Sequence, residues 1–534
     1  MAINMSNNTN ETSVKKRYGV SNSLVNYYLV LMFTVFPLFF TEKYSNIRHD
    51  KLNIYLALSG ILILSGAVCA VIGYFERRRV GIVSDKKWYE YLSVPDIAFI
   101  ALIVVFGIST LLSKTPKDAF FAEQGRNNGM LIFIFYFLVY LIISRFFWEK
   151  EYVYIALALG SAAVHILCIL NFFYVDVFSL FGIENGIYYG YDANTVKDFT
   201  STIGNKNIMS AFCCLTIPIL AMLYMNSKKK IKYLYLVSCG VGFASMLCAD
   251  SESGFLGFVP TMALILLFYC RKLDMVRKFF AAVLAMLIAA KALSFVRPIL
   301  GGAQKGFGTM QKLFIDDFKS VIAIAVIALI VAGLWFAEHK NIEIKVPKYT
   351  PYVLGGVYLL ALALIAGLFV RYSFINTTSK LDGIMTFFRF NEKWGTHRGF
   401  IWIKAVEIFK TAGFKNAVIG SGPDTFYSMF TPYFSELTNK FGNSSTNCAH
   451  NEYLNYLVTT GILGLGAYLA LFGSAVVRSV KYAAKNPMTV VFIAPVVCYL
   501  FQSIVNIANP EVTPLLFIYL ALSEAMVRKV QFDN

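Results

Sequence analysis

Apolar runs of about 20 residues recur along the whole chain, and this spacing constrains the fold more than any other feature. A run of that length crosses the hydrocarbon core of a bilayer as one helix. The sequence is 57% hydrophobic and only 15% charged, whereas soluble domains carry about 25% charged residues. We therefore predict an all-α polytopic membrane protein with about fourteen transmembrane helices. They are expected at residues 23–41, 53–75, 94–112, 129–147, 152–174, 206–225, 233–249, 254–270, 279–296, 321–337, 352–371, 452–476, 488–507 and 512–527.

The net charge of +17 comes from Lys and Arg clusters that fall in every second loop between these runs. Cytoplasmic loops of membrane proteins carry such an excess of Lys and Arg. Because the charge follows the topology and is not gathered on one face, we expect no nucleic-acid partner. The pattern predicts cytoplasmic tails at residues 1–22 and 528–534. The clusters are Lys15–Arg17, Arg77–Arg79, Lys228–Lys232, Arg271–Lys278, Arg478–Lys485 and Arg528–Lys529.

The longest polar segment, residues 372–451, separates the predicted helices 1–11 (residues 23–371) from helices 12–14 (residues 452–527). The charge alternation places it outside the cytoplasm as one large loop. Within it, Phe400, Ile401, Ala405, Ile408 and Phe409 recur at helical spacing. This pattern predicts an amphipathic helix that lies on the membrane surface or on the bundle.

Two residues mark the expected ends of this amphipathic helix. Thr396 is a suitable N-cap residue. Gly413 is a suitable stop, since glycine often ends a helix in the left-handed conformation.

Arg398 lies in the first turn of that helix. Helix N-termini attract phosphates, and a guanidinium adds a fork of donors that can bind two phosphate oxygens. Arg398 is thus a candidate catalytic residue that binds a diphosphate, although an Arg that snorkels to lipid headgroups would also fit. His397 adjoins Arg398, but successive helical residues point in different directions. We therefore treat His397 as a candidate substrate-binding residue that makes a headgroup contact or supports the site.

His450 lies where the chain re-enters the membrane. Its ordinary pKa of about 6.5 suits a general base that accepts a proton from a sugar hydroxyl. An interfacial histidine without a role is the alternative. Asn451 and Glu452 follow directly. Both are candidate substrate-binding residues, and Glu452 either orients the imidazole or favours the helix N-terminus.

Three further polar residues stand at the outer ends of predicted spans, and we treat them as candidate substrate-binding residues. Arg126 precedes the fourth span, and ionisable groups at a membrane edge are candidates for function or for headgroup anchoring. Asn205 and Asn207 precede the sixth span, where their amides either bind sugars or cap the helix.

The sequence contains neither a metal-binding histidine pair nor a phosphate-binding loop ending in Gly-Lys-Ser/Thr. We therefore expect no metal and no other cofactor. Eight of the nine cysteines fall in apolar runs and are read as small hydrophobic residues.

Five stretches, taken in order, resemble motifs of the O-antigen ligase and O-antigen polymerase family of membrane glycosyltransferases. The resemblance covers roughly residues 120–525. Its most specific part is the histidine followed by a span with two glycines. The stretches are Gly204-Asn205-Lys206-Asn207, Arg398 to Trp402, Gly420 to Phe426, Ala449-His450-Asn451-Glu452 with Gly461-Ile462-Leu463-Gly464, and Tyr499 to Asn506.

This resemblance implies a metal-independent, inverting transfer at the outer face of the bacterial plasma membrane. The donor would be a glycan linked to a polyprenyl diphosphate, and the acceptor would be another glycan. Arg398 would bind the diphosphate, and His450 would activate the acceptor hydroxyl. Other membrane proteins of polysaccharide assembly are possible partners.

The chain departs from the family pattern in two places. A Ser-Arg-Gly stretch that supplies a second diphosphate-binding cation is replaced by Ser251-Glu252-Ser253-Gly254. Candidates to replace that cation are Arg126, Arg297, Arg371 and Arg389. The chain also carries an extra pair of spans, at about residues 279–337.

These departures favour a polysaccharide polymerase over an O-antigen ligase. The main alternative is a flippase or transporter of lipid-linked oligosaccharides, which usually concentrates polar residues within its spans at mid-membrane. A membrane scaffold without catalytic activity is a third alternative. The sequence does not identify the sugars, the linkage or the acceptor.

Overall fold

The computed structural model describes residues 21–41, 46–79, 88–173, 175–179, 183–184, 187–188, 199–299, 308–378, 380–381, 383–442 and 445–532. Helices make up 79% of the structure, which confirms the all-α architecture. Most of the predicted N-terminal tail (residues 1–20) and the cluster Lys15–Arg17 lie outside the described residues.

Within the described ranges, fourteen long helices form the bundle, and each overlaps one of the predicted spans. They are α1 (Ser21–Leu38), α2 (Ile47–Arg79), α3 (Val94–Leu111), α5 (Met130–Phe146), α6 (Glu151–Phe172), α7 (Lys206–Asn226), α8 (Lys232–Cys248), α9 (Glu252–Tyr269), α10 (Leu273–Ile299), α12 (Phe318–His339), α13 (Thr350–Val370), α18 (Glu452–Tyr482), α19 (Met488–Gln502) and α20 (Thr513–Phe532).

Ten helices among the described residues are long and apolar enough to cross a membrane. The apolar helices α5, α8 and α19 are shorter than the 18 residues that this requires. Helix α20 lies outside both groups. The count of fourteen spans therefore stays a prediction, as does the side of the membrane that each loop faces.

Side-chain caps fix where several of these helices begin. Ser93 and Asp96 form a capping box at the start of α3. Asn205, Asp317 and Asn451 each accept a hydrogen bond from a backbone N–H in the first turn of α7, α12 and α18. Such caps satisfy donors that have no partner within the helix.

Helices differ sharply in burial. Helix α7 is buried along its whole length, and most of α20 is buried as well. Helices α12 and α13 expose nearly all of their apolar side chains. An apolar helix without protein neighbours is suited to a lipid environment. The bundle therefore has a closed centre around α7 and α20 and an apolar periphery at α12 and α13.

The long polar segment folds into a small helical layer between α13 and α18. This layer begins with a π-helical turn (Arg371–Ile375) and a 3₁₀ turn (Gly383–Phe388). Its described residues then form four helices and a second 3₁₀ turn (Thr431–Tyr433). These helices are α14 (Trp394–Thr411), α15 (Gly413–Ile419), α16 (Phe426–Phe430) and α17 (Phe434–Phe441).

Helix α14 buries an apolar face within this layer. Phe400, Ile401, Ala405 and Ile408 pack with α16, α17 and the first turns of α18 in a separate hydrophobic cluster. The amphipathic helix was therefore predicted correctly, and within the described residues it lies against the bundle.

One local prediction was wrong. Thr396 does not cap α14, because it has a φ of 59° and no side-chain cap bond forms there. The regular helix starts only after Gly395, Thr396 and His397, which are all left-handed. Helix α20 continues to Phe532, through most of the predicted C-terminal tail, and the side of the membrane on which this tail lies stays a prediction. By contrast, Gly413 (φ 72°) does end α14.

The remaining elements are short. Helix α4 (Pro116–Phe121) precedes α5, and α11 (Thr309–Ile315) precedes α12. A 3₁₀ turn (Trp88–Tyr91) precedes α3. Two antiparallel pairs of two-residue strands, β1 (Ile183–Glu184) with β2 (Ile187–Tyr188) and β3 (Phe199–Thr200) with β4 (Gly204–Asn205), lie between α6 and α7. The second pair leads directly into Asn205 at the start of α7.

Candidate active site

A cavity of about 390 Å³ opens where several inter-helix segments meet at one end of the bundle. The wall comes from the first turn of α2, from the segments before α5, α7 and α18, and from the segment between α19 and α20, so residues far apart in sequence share one wall. The lining residues are Ile47, Arg48, His49, Arg126, Ile203, Gly204, Asn205, Asn207, Ile208, His450, Asn506 and Glu511. Four of the predicted site residues are therefore brought together: Arg126, Asn205, Asn207 and His450.

The backbone around His450 is fixed on both sides. Ala449 donates its N–H to the Asn455 side chain (3.1 Å), and its carbonyl accepts from the Trp402 indole (2.9 Å). His450 itself has a φ of 51°. A left-handed conformation is uncommon for a residue other than glycine and persists only when its surroundings impose it. The Arg-x-x-x-Trp stretch thus contributes to the site by holding the residue before His450.

Burial and two nearby cations favour the neutral form of the His450 imidazole. Burial lowers the pKa of the imidazole well below 6.5, and the positive charges of Arg126 and Arg398 lower this pKa further. A neutral imidazole has a free ring nitrogen that can accept a proton. The charges that depress this pKa are cations, so an anion bound beside them would raise it.

Neutral oxygens hold the side chain of Arg126 in place. Its Nε donates to Asn447 Oδ1 and its Nη1 donates to Asn509 Oδ1, both at 3.1 Å. Among the described residues, no carboxylate forms a salt bridge with this guanidinium. The group is therefore oriented, and hydrogen bonding to a carboxylate does not neutralise its charge.

Asp424 fixes the backbone that carries Arg126. One oxygen of this buried carboxylate accepts the N–H groups of Arg126 (2.6 Å) and Asn128 (3.0 Å). Burial raises the pKa of Asp424 to about 7, although these two N–H donors act to lower it. A Cβ on Gly125 would collide with the same carboxylate, so glycine is needed for this close approach.

The glycine-rich loop before Asp424 interlocks with a kink in α18. Gly461 is left-handed (φ 71°), and the Thr459 carbonyl accepts from the N–H groups of Ser421 (2.8 Å) and Gly422 (2.9 Å). A Cβ on Gly420 would lie 2.2 Å from that carbonyl. The Gly-x-Gly loop thus packs directly on the kink of α18. This contact positions Asp424, which in turn positions the backbone of Arg126.

Arg398 lies beside the cavity and is not part of its wall. Its Nη1 donates to the Val505 carbonyl, and the side chain is half-buried. Burial lowers the pKa of Arg398, and the nearby positive charge of Arg126 acts in the same direction. The N–H of Phe400 in the first turn donates to the Glu392 carbonyl (3.1 Å), so that donor is not free for a phosphate.

Three other predicted residues do not line the cavity. The ring of His397 packs on Phe441, with centroids 4.2 Å apart. Asn451 caps α18 through the N–H of Leu454 (2.9 Å). The Glu452 carboxylate is buried and accepts from the hydroxyls of Tyr468 (2.6 Å) and Tyr499 (3.2 Å). Of the two roles considered for Glu452, orienting the imidazole finds no support in these contacts.

Asn205 and Asn207 combine capping with a place in the wall. The Asn205 side chain accepts from the N–H of Asn207 (2.8 Å) and caps α7. The Asn207 side chain accepts from Ser251 (2.8 Å), and its carbonyl accepts from the side chain of Asn506 (2.9 Å). The stretch that departs from Ser-Arg-Gly therefore lies close to this wall, and Arg398 senses the negative charge of Glu252.

Among the candidates for the second cation, Arg126 lines the cavity. Arg371 is exposed, with its guanidinium 5.8 Å from the ring of Tyr372, and Arg389 lines a different pocket in the polar layer. The side chain of Arg297 is outside the described part of the chain.

Sequence reasoning missed Arg48, His49 and Glu511, which complete the wall. The signal was present, since each is an ionisable residue in a short segment beside an apolar run. Within the described residues, no group of three or more His, Cys, Asp or Glu side chains is arranged to hold a metal ion.

Residues 318–469 match the family model described as O-Antigen ligase. No curated protein matches the chain. The matched stretch contains α12, α13, the polar layer with Arg398, and His450 with the first half of α18. Arg126, Asn205 and Glu511 lie outside it and complete the cavity from the rest of the chain. Residues 318–469 thus form a domain that matches the O-antigen ligase model, in a chain whose described residues include ten helices long and apolar enough to cross a membrane.

Proposed function

We propose that the protein transfers a glycan from undecaprenyl diphosphate to a hydroxyl of an acceptor sugar at the outer face of the bacterial plasma membrane. The O-antigen ligase domain already places it among membrane ligases and polymerases that transfer glycans. One observation supports the finer proposal most strongly. Two guanidinium groups, on Arg126 and Arg398, make their hydrogen bonds to neutral oxygens and act together on a neutral histidine.

Arg126 and Arg398 have charged neighbours, but their guanidinium hydrogen bonds go to neutral oxygens, and such groups beside a cavity suit an anionic ligand. A diphosphate has several oxygens that accept from guanidinium groups, and such charge-assisted bonds are about twice as strong as neutral ones. Asn205 and Asn207 add amide groups on the same wall for sugar hydroxyls or phosphate oxygens. Arg126 would thus supply the cation that is missing at Glu252.

The transfer follows from this arrangement in one step. His450 accepts the proton of the acceptor hydroxyl, whose oxygen forms a bond to the anomeric carbon of the donor sugar. The bond from that carbon to the diphosphate breaks, and Arg126 and Arg398 stabilise the negative charge on the departing lipid diphosphate. A single displacement inverts the anomeric configuration. Two guanidinium groups do the work that a metal ion does in other transferases, so we expect no metal requirement.

The distribution of basic residues supports the outer face. Helices α2, α7, α18 and α20 all begin near the cavity, and basic residues stand at or just beyond their far ends. By the positive-inside tendency that far end is cytoplasmic. The glutamate at position 252 departs from the ligase pattern, and on this ground we favour a polymerase. Helix α12 lies inside the stretch that matches the ligase model and therefore does not add to this argument.

A reconstituted system tests this proposal against a flippase. Purified protein is placed in liposomes, and an undecaprenyl-diphosphate-linked glycan is added to the outer leaflet only. A transferase joins glycans and releases undecaprenyl diphosphate while the remaining donor stays in that leaflet. Movement of intact donor across the bilayer without glycan transfer would refute the proposal.

A further inference from the structure

Arg48 and Glu511 form a charged pair on the cavity wall that the proposed transfer does not use. Arg48 lies in the first turn of α2, and Glu511 lies just before α20. The Glu511 side chain is only 4% exposed, whereas Arg48 is 35% exposed. The pair therefore joins the first turn of α2 to the segment between α19 and α20. It lies on the wall of the cavity that also contains His450.

The two side chains do not satisfy each other. Arg48 Nε and Glu511 Oε1 are 3.7 Å apart, which is too long for a hydrogen bond. Arg48 Nε and Glu511 Oε2 are both buried, and neither has a hydrogen-bond partner among the residues that the structure describes. A buried charged group without a partner is costly, so a bound group is expected to supply the missing bonds.

A hydroxyl group can form hydrogen bonds with both the unpaired donor of Arg48 and the unpaired acceptor of Glu511. It donates one hydrogen bond, which suits the carboxylate, and it accepts others, which suits the guanidinium. A phosphate oxygen at pH 7 only accepts and would be repelled by Glu511. The Glu511 carboxylate therefore divides the wall into two parts that suit different ligands. Arg126 suits an anion, and the Arg48–Glu511 pair suits a neutral polyhydroxyl ligand.

Glu511 also lies near three cations, Arg48, Arg126 and Lys51. The Lys51 ammonium is already bound by the carbonyls of Phe36 (3.0 Å), Pro37 (2.9 Å) and Phe39 (2.7 Å). Balancing these charges is thus a second role that Glu511 is able to have. It explains the negative charge, but it does not explain why one oxygen accepts no hydrogen bond.

We infer that Glu511 and Arg48 bind a hydroxyl of the acceptor sugar and hold that sugar beside His450. This inference rests on the proposed function, because it assigns the part of the same cavity that the donor leaves free. The ligand class is a neutral sugar with adjacent hydroxyl groups.

Two measurements on the full-length protein in detergent test the inference. The first is binding of undecaprenyl diphosphate, which has the anion but no sugar. The second is transfer at saturating donor to a soluble acceptor, the repeat-unit oligosaccharide released from the lipid-linked glycan of the producing cells. The variants are Glu511→Gln, Arg48→Gln and, as a matched control, Glu343→Gln, which removes an exposed carboxylate paired with Lys345.

We expect Glu511→Gln and Arg48→Gln each to raise the KM for the acceptor about tenfold to a hundredfold, the loss expected for a hydrogen bond to a charged group. Glu511→Gln should leave the affinity for undecaprenyl diphosphate unchanged or slightly tighter, because a negative charge is removed. Glu343→Gln should change neither quantity.

An unchanged acceptor KM in Glu511→Gln, with tighter binding of undecaprenyl diphosphate, would overturn the inference and leave charge balance as the role of Glu511. Failure of the wild-type protein to bind undecaprenyl diphosphate and to transfer any glycan would instead refute the proposed function. The two failures are therefore distinguishable.

Discussion

The two ends of the helix bundle treat buried charge in opposite ways. At the end away from the cavity, Asp96 pairs with both Arg145 (2.9 Å) and Arg528. Glu524 pairs with Arg478 and Arg528, each at 3.1 Å. These pairs tie together α3, α5, α18 and α20, and each carboxylate has two guanidinium partners.

At the cavity end, α5, α18 and α20 begin among charges that are not matched in this way. Arg126 and Arg398 are held by amide and carbonyl oxygens, and Glu511 keeps one oxygen without a hydrogen bond among the described residues. Breaking a buried ion pair is strongly destabilising, so a matched network holds helices together. Oriented but unmatched charges retain the capacity to bind a ligand. The comparison thus separates a structural end from a functional end.

Removal of the imidazole should give the largest effect at the functional end. We expect His450→Ala to lower kcat about 10²- to 10⁴-fold, the usual contribution of a general base. The measurement is glycan transfer by purified protein from the lipid-linked donor. His339→Ala is the matched control, since that exposed ring stacks on Trp335 at the end of α12. Full activity in His450→Ala would remove the base from the mechanism.

At the structural end, we expect a loss of stability instead of activity. Asp96→Ala leaves Arg145 and Arg528 without their shared partner, which should lower the free energy of unfolding by about 3–5 kcal/mol. Thermal unfolding in detergent measures this change. The affinity of the folded variant for undecaprenyl diphosphate should match that of the wild type. A selective loss of that affinity would show that the two ends are not separate.

Arg126 provides the test of charge at the cavity. Arg126→Gln should weaken binding of undecaprenyl diphosphate about tenfold to a hundredfold, as expected for loss of a charge-assisted hydrogen bond. Arg371→Gln removes the same charge from an exposed position and is the matched control. Equal affinities for wild type and Arg126→Gln would show that another group replaces the cation missing at Glu252.

The smallest expected effect is a shift between two pH profiles. In the free protein, burial and the charges of Arg126 and Arg398 hold the pKa of His450 well below 6.5. The base is then neutral above that low value, so kcat/KM should remain high at pH 6. A bound diphosphate adds negative charge and raises the pKa of His450, so kcat should begin to fall at a higher pH than kcat/KM as the pH is lowered. Profiles with the same acidic limb would argue that the diphosphate does not lie near His450.

Composition and spacing were enough to predict the helical membrane architecture, because hydropathy is a sum over neighbouring residues. They also predicted the amphipathic face of α14 and the glycine at its end. The motifs identified His450, Asn205 and Asn207 as candidates, and the position at a membrane edge identified Arg126. These four line one cavity.

Packing decided how the candidates are used. The Arg398 side chain donates to the Val505 carbonyl and the Glu452 carboxylate accepts from two tyrosines, although both residues belong to motif stretches. Side-chain direction depends on partners that a sequence does not place, as the three left-handed residues before Arg398 illustrate.

The sequence by itself determined the helices, the polar layer and the residue types available for chemistry. Only the tertiary structure decided that Arg126 stands in the wall, held by Asn509 from a segment 383 residues away, and that Arg48 meets Glu511. The physical reason is that an apolar run is defined by residues that are neighbours in the sequence. A cavity exists only when distant segments pack so that their polar ends meet.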